Sequence, residues 1–408
     1  MMRTRPGRFW KFFSLVLINM LIVNMLFSQV AWNADSLFKT GQPLTGRLWG
    51  YAFGDLYNKA HGDTLNRGGS NQYTGIPQGR TEFQTRRIYL GYDFNISRKF
   101  STEILLAAED NITTGGGTTS GDLLADNKLA FYVKLINLRW KNIWKGTDLV
   151  IGQVGTPGFT TFTEKFWGYR SIERTLIDVR RTPSYDLGVA LQGKFGKSGN
   201  LGYNVMVGNG SGARPESDNF KWFYSEVWGL FLDKKLAVSL YADYEKLNAQ
   251  PEWHHSRSMI KAYAAYTTGF GTLGIEGYVN NLTKDLFATR TGGSVDTMSS
   301  VASGISIHAQ GDIIAKKLKY FIRYDRFDPT NRINNAVYSK YVGHTANFND
   351  PVTRESLFIA GLDFMPIPSV HFMPNIWCNS YKNQGAAFKY DSYDLVLRMT
   401  FFFVFGKN

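Results

Sequence analysis

Hydrophobic and polar residues alternate with a period of two along most of the 408-residue chain, from residue 44 to its end. In "RRIYLGYDF", Ile88 and Leu90 share one face, opposite Arg87, and in "FYVKLIN", Val133 and Leu135 share one face. The stretches "LAVSLYADYE", "KLKYFIRYDRF" and "LVLRMTFFFVF" repeat the pattern. Because successive side chains of a strand point to opposite faces, this alternation predicts strands with one apolar and one polar face.

Sixteen such segments are predicted, beginning near residues 44, 82, 100, 127, 147, 185, 200, 221, 236, 257, 272, 299, 317, 354, 370 and 391. Short connections alternate with long ones, which are expected at 58–80, 111–126, 156–183, 209–220, 248–256, 281–298, 328–353 and 383–390. An even number of strands with tight turns at one end is typical of outer-membrane barrels, whereas a soluble β-sandwich has no reason for this asymmetry. The sequence therefore predicts an all-β fold, a transmembrane antiparallel β-barrel over residues 44–408.

The last strand is consistent with a membrane environment. Four phenylalanines, Phe401, Phe402, Phe403 and Phe405, lie close to the C-terminus, where chains usually fray in water. In a closed barrel this strand is paired on both sides, and its apolar face contacts acyl chains. Phe403 and Phe405 are expected in the inner aromatic girdle.

The N-terminus has the order of a secretory signal peptide. Basic residues precede an apolar run at 12–27, and Ser28 follows it. Cleavage is expected after Ser28, with Ala31 as the second choice. A single transmembrane anchor is the alternative, although the run is near the shortest length that spans a bilayer. Residues 1–28 are thus predicted to be the signal peptide, and 29–43 a periplasmic N-terminal segment.

Composition and motifs narrow the chemistry. The chain is 43% hydrophobic and 15% aromatic, with 41 glycines, one cysteine and a formal net charge of +13, which suits strands joined by tight turns. "GFGTLG" at 269–274 lacks the following helix that a nucleotide site needs, and "GVALQGKF" at 188–195 lacks the magnesium-binding hydroxyl. The six histidines form no compact ligand set, and no G-x-S-x-G occurs.

We therefore expect no cofactor, no metal site, no nucleic-acid partner and no enzymatic activity. The alternative that stays open is an outer-membrane β-barrel enzyme acting on lipid or peptide. Such an enzyme would have a plugged lumen, with Ser, His and Asp converging at the outer rim.

The connection at 156–184 is the least strand-like part of the mature chain. A short helix is expected within 164–178, and Thr161 with Glu164 has the spacing of a capping box. In that helix Arg170 and Arg174 would share one face and face water, while Ile172 and Leu176 would pack on a barrel wall. The alternative is a surface loop with locally paired charges.

Several charged strand positions are predicted to line the lumen. The basic ones are Arg87, Lys128, Lys134, Lys194, Lys261, Arg323 and Arg398, and the acidic ones are Glu103, Asp186, Asp243, Glu276 and Asp325. This slight excess of basic residues favours anions only mildly. The same residues could instead brace the wall as ladders of opposite charge.

Several stretches resemble outer-membrane porins of the Bacteroidota and, more loosely, the phosphate-selective porins O and P. They are "IGQVGTP", "FWGYRSIERT", "SYDLGVALQGKF", "MVGNGSG", "RYDRFDPT", "IAGLDFMP" and "MPNIW". The resemblance implies a 16-stranded homotrimeric barrel in the bacterial outer membrane, with the loop after the fifth strand folded inward as a constriction. Lys165, Arg170, Arg174, Arg180 and Arg181 would then line the constriction, opposite Glu164, Glu173 and Asp178.

The function expected from these patterns is passive diffusion of small hydrophilic solutes, with a mild preference for anions and phosphate as a candidate solute. The implied partners are outer-membrane lipid and lipopolysaccharide, small-solute anions, and the barrel-assembly machinery, which reads the last strand. One feature departs from the resemblance, because Gly406, Lys407 and Asn408 follow Phe405 where such barrels often end on the aromatic residue.

Overall fold

The computed structural model describes residues 46–68, 71–109, 130–180, 183–216, 218–250, 253–343, 350–385 and 391–406. The predicted signal peptide and periplasmic segment lie outside these ranges, as do Lys128 and Arg181. Strands make up most of the part that is described.

The strands are β1 (Gly46–His61), β2 (Thr81–Asn95), β3 (Phe100–Glu109), β4 (Tyr132–Trp144), β5 (Thr147–Gly155), β6 (Tyr185–Phe195), β7 (Leu201–Gly208), β8 (Trp222–Phe231), β9 (Leu236–Gln250), β10 (Trp253–Thr268), β11 (Gly271–Arg290), β12 (Val295–Ile314), β13 (Leu318–Asp328), β14 (Tyr338–Gly343), β15 (Thr353–Ile367), β16 (Val370–Asn383) and β17 (Ser392–Phe405). β11 and β12 have 20 residues each. A tilted strand needs only about 9–11 residues to cross a membrane, so both extend beyond it.

All strands except β14 form one closed antiparallel wall of 16 strands. Each pairs with its neighbours in sequence, apart from β13, which pairs directly with β15. The wall closes between β1 and β17, where Gly50 lies opposite Phe405. β17 also pairs with β16, so the last strand has a partner on both sides. The predicted 16-stranded barrel is confirmed.

Apolar side chains cover the outside of the barrel, and polar ones face the lumen. Along β17, Phe403 and Phe405 are 42% and 45% exposed, whereas Arg398 and Thr400 are 5% and 0% exposed. Outward side chains on other strands are apolar as well, for example Val189, Leu240, Ile260, Leu273 and Ile322. A closed sheet without unpaired edges and with an apolar outer face is the arrangement that spans a membrane.

No helix in the described ranges is long and apolar enough to cross a membrane.

The two rims of the barrel differ as predicted. At the rim named here the turn rim, the connections have two to five residues: 96–99, 145–146, 196–200, 232–235, 269–270, 315–317 and 368–369. "GFGTLG" forms part of one of these hairpins, between β10 and β11. The opposite rim, named the loop rim, carries the longer connections, except after β9 and β11, where the connections are short.

Two of the predicted long connections, 248–256 and 281–298, are wrong, because both regions are mostly strand and the strands in them are separated by two and four residues. β11 and β12 pair as a hairpin that projects from the loop rim, with Leu286 opposite Met298. β14 adds a third strand to it. Leu286 and Tyr341 are buried in a small apolar cluster there, which accounts for the order of this hairpin.

A bulge in β2 changes which side chains face the lumen. Arg86 is the extra residue between the positions of Thr85 and Arg87 that pair with β1. As a result both arginines face inward, where Arg86 contacts Asp55 and Arg87 contacts Glu109. A strict period of two predicted only Arg87 in the lumen, because this pattern does not accommodate the extra residue of a bulge.

A second bulge, in β4, corrects the predicted faces of that strand. Val133 lies opposite Leu106, and Leu135 lies opposite Leu105, so Lys134 is the extra residue. Lys134 is buried inside as predicted. The lipid-facing position predicted for Leu135 is wrong, because this side chain packs in an interior cluster with Leu105.

Candidate functional site

The connection between β5 and β6, residues 156–184, folds into the barrel and is named the constriction loop. It contains three short helices, α1 (Pro157–Thr160), α2 (Thr163–Trp167) and α3 (Leu176–Arg180). Trp167, Ile172 and Ile177 are at most 1% exposed. They pack with inward-facing residues of the wall in two apolar clusters, so the loop is part of the interior.

A short helix is present at the start of 164–178, as α2, and α3 begins near its end, but the helical face expected to be shared by Arg170 and Arg174 is wrong. α2 ends before Gly168, which has a φ of 71°, and this left-handed conformation favours glycine. Arg170 and Arg174 therefore lie in the turn between α2 and α3 and not on one helix. No side chain caps the start of α2, so the capping box expected at Thr161 is wrong as well.

Side chains of the wall hold the backbone of the constriction loop. Arg398 donates to the carbonyl of Ile172 at 2.8 Å, and Arg323 donates to the carbonyl of Arg174 at 2.6 Å. Lys261 donates to a backbone carbonyl of α1. Buried carbonyls need a donor, so these bonds fix the loop in place. All three wall residues face the lumen as predicted, but they support the loop instead of lining an open path.

Two carboxylates complete the attachment. Arg180 donates two hydrogen bonds to Glu355 of β15, at 2.9 and 2.8 Å. Both side chains are almost completely buried, at 4% and 3% exposure. Glu173 accepts a hydrogen bond from the indole of Trp377 on β16 at 2.9 Å. Arg180, expected at the constriction, is an anchor of the loop.

Glu173 is a buried carboxylate of the constriction loop, outside the spanning strands, with 5% exposure. Burial alone would raise its pKa, but the guanidinium groups of Arg174, Arg398 and Arg323 outweigh this effect and leave the pKa below its ordinary value. The loop therefore keeps a negative charge at neutral pH, which binds it to the basic side chains around it.

A second connection, 62–80 between β1 and β2, also folds inward and packs on the constriction loop. Tyr73 is completely buried, and its hydroxyl accepts a hydrogen bond from Arg398 at 2.9 Å. Gln72 donates to the carbonyl of Ile172 at 3.1 Å. The sequence predicted this connection as an ordinary long loop, because its polar composition does not indicate that it turns inward.

Charged side chains of the constriction loop face charged side chains on the wall of β2 to β4. On the loop, Arg170 lies 2.7 Å from Glu164 and 2.8 Å from Asp178. On the wall, Arg87 lies 3.6 Å from Glu109, and it interacts electrostatically with Arg170 and Asp178 of the loop. The facing side chains are named the eyelet: Arg87, Glu109, Lys134, Glu164, Arg170, Arg174 and Asp178.

The eyelet is nearly balanced in charge, with four basic side chains and three carboxylates. Lys134 contacts Glu109 on the wall. The sequence placed Glu164 and Asp178 opposite the basic residues of the loop, whereas both carboxylates contact Arg170 within the loop itself. Arg170 is therefore paired locally, but the alternative of a surface loop is wrong, because the loop packs in the interior.

Lys165 and Lys194 lie apart from the eyelet, toward the turn rim. Both line a cavity of about 540 Å³, together with Trp228 of β8. Lys194 projects inward from β6, as predicted, and both lysines are exposed.

The five acidic positions predicted for the lumen all face it: Glu103, Asp186, Asp243, Glu276 and Asp325. The wall carries further inward charged side chains that were not among the lumen positions predicted from the sequence: seven carboxylates, Asp55, Glu109, Glu226, Glu245, Glu355, Asp363 and Asp394, against three basic residues, Lys59, Arg86 and Arg257. The slight excess of basic wall residues expected from the sequence is therefore absent from the described strands. Any preference for anions has to arise at narrow positions and not from the wall as a whole.

Of the Ser, His and Asp side chains expected to converge in a barrel enzyme, a His–Asp pair is present. His255 Nε2 lies 2.7 Å from Asp285 Oδ1. Their exposures are 1% and 8%, so the pair is enclosed, which favours a structural role. Within the described residues, no group of three or more His, Cys, Asp or Glu side chains could hold a metal ion.

No protein-family model and no curated protein sequence matches the chain. Several solved structures are similar to the chain. The outer membrane channel DcaP of Acinetobacter baumannii has a TM-score of 0.60 at 12% identity, covering 90% of this chain and 99% of that one. The anion-selective porin from Comamonas acidovorans has a TM-score of 0.55 at 10% identity, covering 89% and 100%. The trimer form of OmpT of Vibrio cholerae has a TM-score of 0.54 at 13% identity, covering 89% and 100%.

At these identities the likeness concerns the fold alone, and it agrees with the closed wall of 16 strands. The outward apolar side chains and the polar lumen fit the same architecture. The chain therefore has the fold of the outer-membrane porins, and its apolar outer surface places it in the bacterial outer membrane.

Proposed function

We propose that the chain is a porin, a passive channel for small hydrophilic solutes with a mild preference for anions. The observation that carries the proposal is the eyelet. The constriction loop is bonded to β10, β12, β13, β15, β16 and β17, and its charged side faces the charged wall of β2 and β3. A wide polar barrel narrowed by a fixed charged loop is the arrangement that sorts solutes by size and charge.

Size exclusion follows from the attachment of the loop. Buried hydrogen bonds hold both the backbone and the side chains of the loop. The passage beside the loop therefore keeps a constant width, and the channel needs no gate. Charges with low-dielectric walls around them focus the field at the eyelet. Solutes that are small, hydrophilic and able to replace water contacts with charged side chains would pass.

The preference for anions is expected to be mild. The eyelet has one more basic group than carboxylates, and a charge in a wide aqueous pore is screened within about 8 Å at physiological salt. Only side chains at the eyelet can therefore sort ions. Phosphate is a candidate solute, and the Comamonas acidovorans neighbour is described as an anion-selective porin.

We further propose export by a signal peptide at 1–28, and a homotrimer in contact with outer-membrane lipid and lipopolysaccharide. The trimer rests on the OmpT neighbour, which is described in a trimer form. The turn rim would face the periplasm, as short turns do in such barrels. The barrel-assembly machinery would read β17, whose outward phenylalanines face lipid.

Reconstitution in a planar bilayer tests the proposal. Purified protein should give stepwise conductance in potassium chloride, and a salt gradient should give a small zero-current potential of the sign for anion preference. The absence of any conductance from folded protein would contradict the channel. A zero-current potential of the opposite sign would contradict the anion preference alone.

A further inference from the structure

A cleft lies at the turn rim, beside the constriction loop. Two adjoining cavities, of about 540 and 340 Å³, share Thr161, Lys165, Lys194 and Trp228 among their lining residues. Lys234, in the turn between β8 and β9, lines the smaller one. These five residues define what we name the lysine cleft.

Lys194 and Lys234 have no counter-charge among the described residues, whereas Lys165 interacts electrostatically with the buried Glu226 of β8. Within the described residues, the ammonium groups of Lys165, Lys194 and Lys234 form no ion pair and no hydrogen bond. The other basic side chain of the larger cavity, Arg139, is paired with Asp148 at 3.0 Å. Three like charges around one cavity repel each other, and an anion between them would relieve the repulsion.

The eyelet differs from the cleft in this respect. Arg170 contacts two carboxylates, and Arg87 and Lys134 both contact Glu109. A solute anion at the eyelet must therefore compete with protein carboxylates, whereas in the cleft it would meet Lys194 and Lys234, which have no such partner among the described residues. The cleft is the stronger candidate for anion binding.

The cleft also offers a flat apolar surface. Trp228 projects inward from β8, and its ring packs edge-on against Phe162, with centroids 5.4 Å apart and planes at 71°. The absence of a side chain at Gly202 leaves room for this ring, because a Cβ atom at residue 202 would lie 2.2 Å from a carbon of the Trp228 indole. The indole is thus held in one orientation while part of it stays exposed, and such a ring can pack against a planar ligand.

We propose that the lysine cleft binds small organic anions in which a planar apolar group carries a phosphate or carboxylate. The lysines would contact the anionic group, and Trp228 would contact the planar group. The proposal rests on the proposed channel, for which it names a class of solute that is retained on the periplasmic side of the eyelet.

Block of the single-channel current by phenyl phosphate tests the proposal, with inorganic phosphate as the comparison. Added on the turn-rim side, phenyl phosphate should block wild-type channels at a lower concentration than inorganic phosphate does. The double variant Lys194→Gln and Lys234→Gln should raise its half-blocking concentration by about five-fold or more. Lys317→Gln removes an exposed lysine in the turn between β12 and β13, away from the cleft, and should change nothing.

The variant Trp228→Leu separates the two parts of the proposal. It should weaken block by phenyl phosphate and leave block by inorganic phosphate unchanged. If both probes block wild-type channels at the same concentration, the role of Trp228 is overturned. If phenyl phosphate blocks the double lysine variant as strongly as it blocks the wild type, the site is overturned. If folded protein does not conduct, the channel itself is refuted. The cleft is then still tested in detergent, by comparing phenyl phosphate quenching of tryptophan fluorescence in wild type and Trp228→Leu.

Discussion

Arg180 of the constriction loop and Glu355 of β15 are joined by two hydrogen bonds, of 2.9 and 2.8 Å. Asn71 and Asn379 also donate to this carboxylate, at 2.8 and 2.7 Å. The carboxylate therefore ties both inward loops and two wall strands to one buried point. Because a buried ion pair that loses one partner leaves an uncompensated charge, the position of the loop should depend strongly on this contact.

Replacing Glu355 with Gln is expected to free the end of the constriction loop. Arg180 would keep its charge in a buried site, a situation that costs about 3–5 kcal/mol, and the loop can avoid that cost by moving into water. Single-channel recordings should show a larger and noisier conductance, while unboiled protein still migrates as a folded barrel in a detergent gel.

Arg354→Gln is the matched control for this change. Arg354 is the preceding residue on β15 and is paired with Asp328 at 2.6 Å, but the two side chains are 38% and 24% exposed. Exposed pairs of this kind contribute about 0–1 kcal/mol, so the control should conduct as wild type does. Wild-type conductance and noise in Glu355→Gln would show that the other contacts suffice to hold the loop.

Replacing both Arg170 and Arg174 with Gln is expected to shift ion preference toward cations. The eyelet would then contain three carboxylates against Arg87 and Lys134. The zero-current potential in a salt gradient should change sign or move clearly in the cation direction, and the amount of folded barrel should stay nearly unchanged, because the loop is not part of the sheet.

Arg290→Gln provides the comparison for the eyelet variants. Its side chain is 50% exposed on the hairpin that projects from the loop rim, where it pairs with Asp296. At that distance from the eyelet its charge is screened, and the zero-current potential should not move. If the control and the eyelet variants shift the potential equally, the eyelet does not control selectivity.

Replacing Phe403 and Phe405 with Ser is expected to lower assembly more than conduction. Both side chains face outward, at 42% and 45% exposure, and each loses apolar contact with lipid worth about 1.5–3 kcal/mol. Folded protein in the outer membrane should fall, as measured by gel mobility before and after boiling. Phe270→Ser, an equal change in a turn where the side chain is 87% exposed, should assemble normally. Normal assembly of the double variant would contradict the role given to β17.

The sequence predicted the barrel well because strand alternation and connection length are local properties. The inward Arg398 and the outward Phe403 on β17 followed from a period of two alone. Alternation failed at Arg86 and Leu135, since each lies at or next to a bulge, where an extra residue reverses the faces. It also missed β14, whose six residues pair with the distant β11.

The site was harder to predict, because its geometry depends on contacts between residues far apart in the chain. The spacing of Arg170 and Arg174 suggested one helical face, but Gly168 ends α2 before either residue. Arg180 was expected at the constriction, and its partner Glu355 is 175 residues away, which no local pattern reveals. The inward course of 62–80 was missed for the same reason.

The last prediction concerns that second loop. Tyr73→Phe removes only a hydroxyl, which donates to Asp55 at 3.0 Å and accepts from Arg398 at 2.9 Å. Leaving buried partners without a hydrogen bond costs about 1–3 kcal/mol. Arg398 also holds the backbone of the constriction loop, so the variant should unfold at lower urea concentration and show more current noise at unchanged mean conductance. Tyr393→Phe, a change on the exposed face of β17 where the side chain is 41% exposed, should match wild type in both measurements. Equal urea midpoints for Tyr73→Phe and wild type would mean that the contact between the two loops does not stabilise the barrel interior.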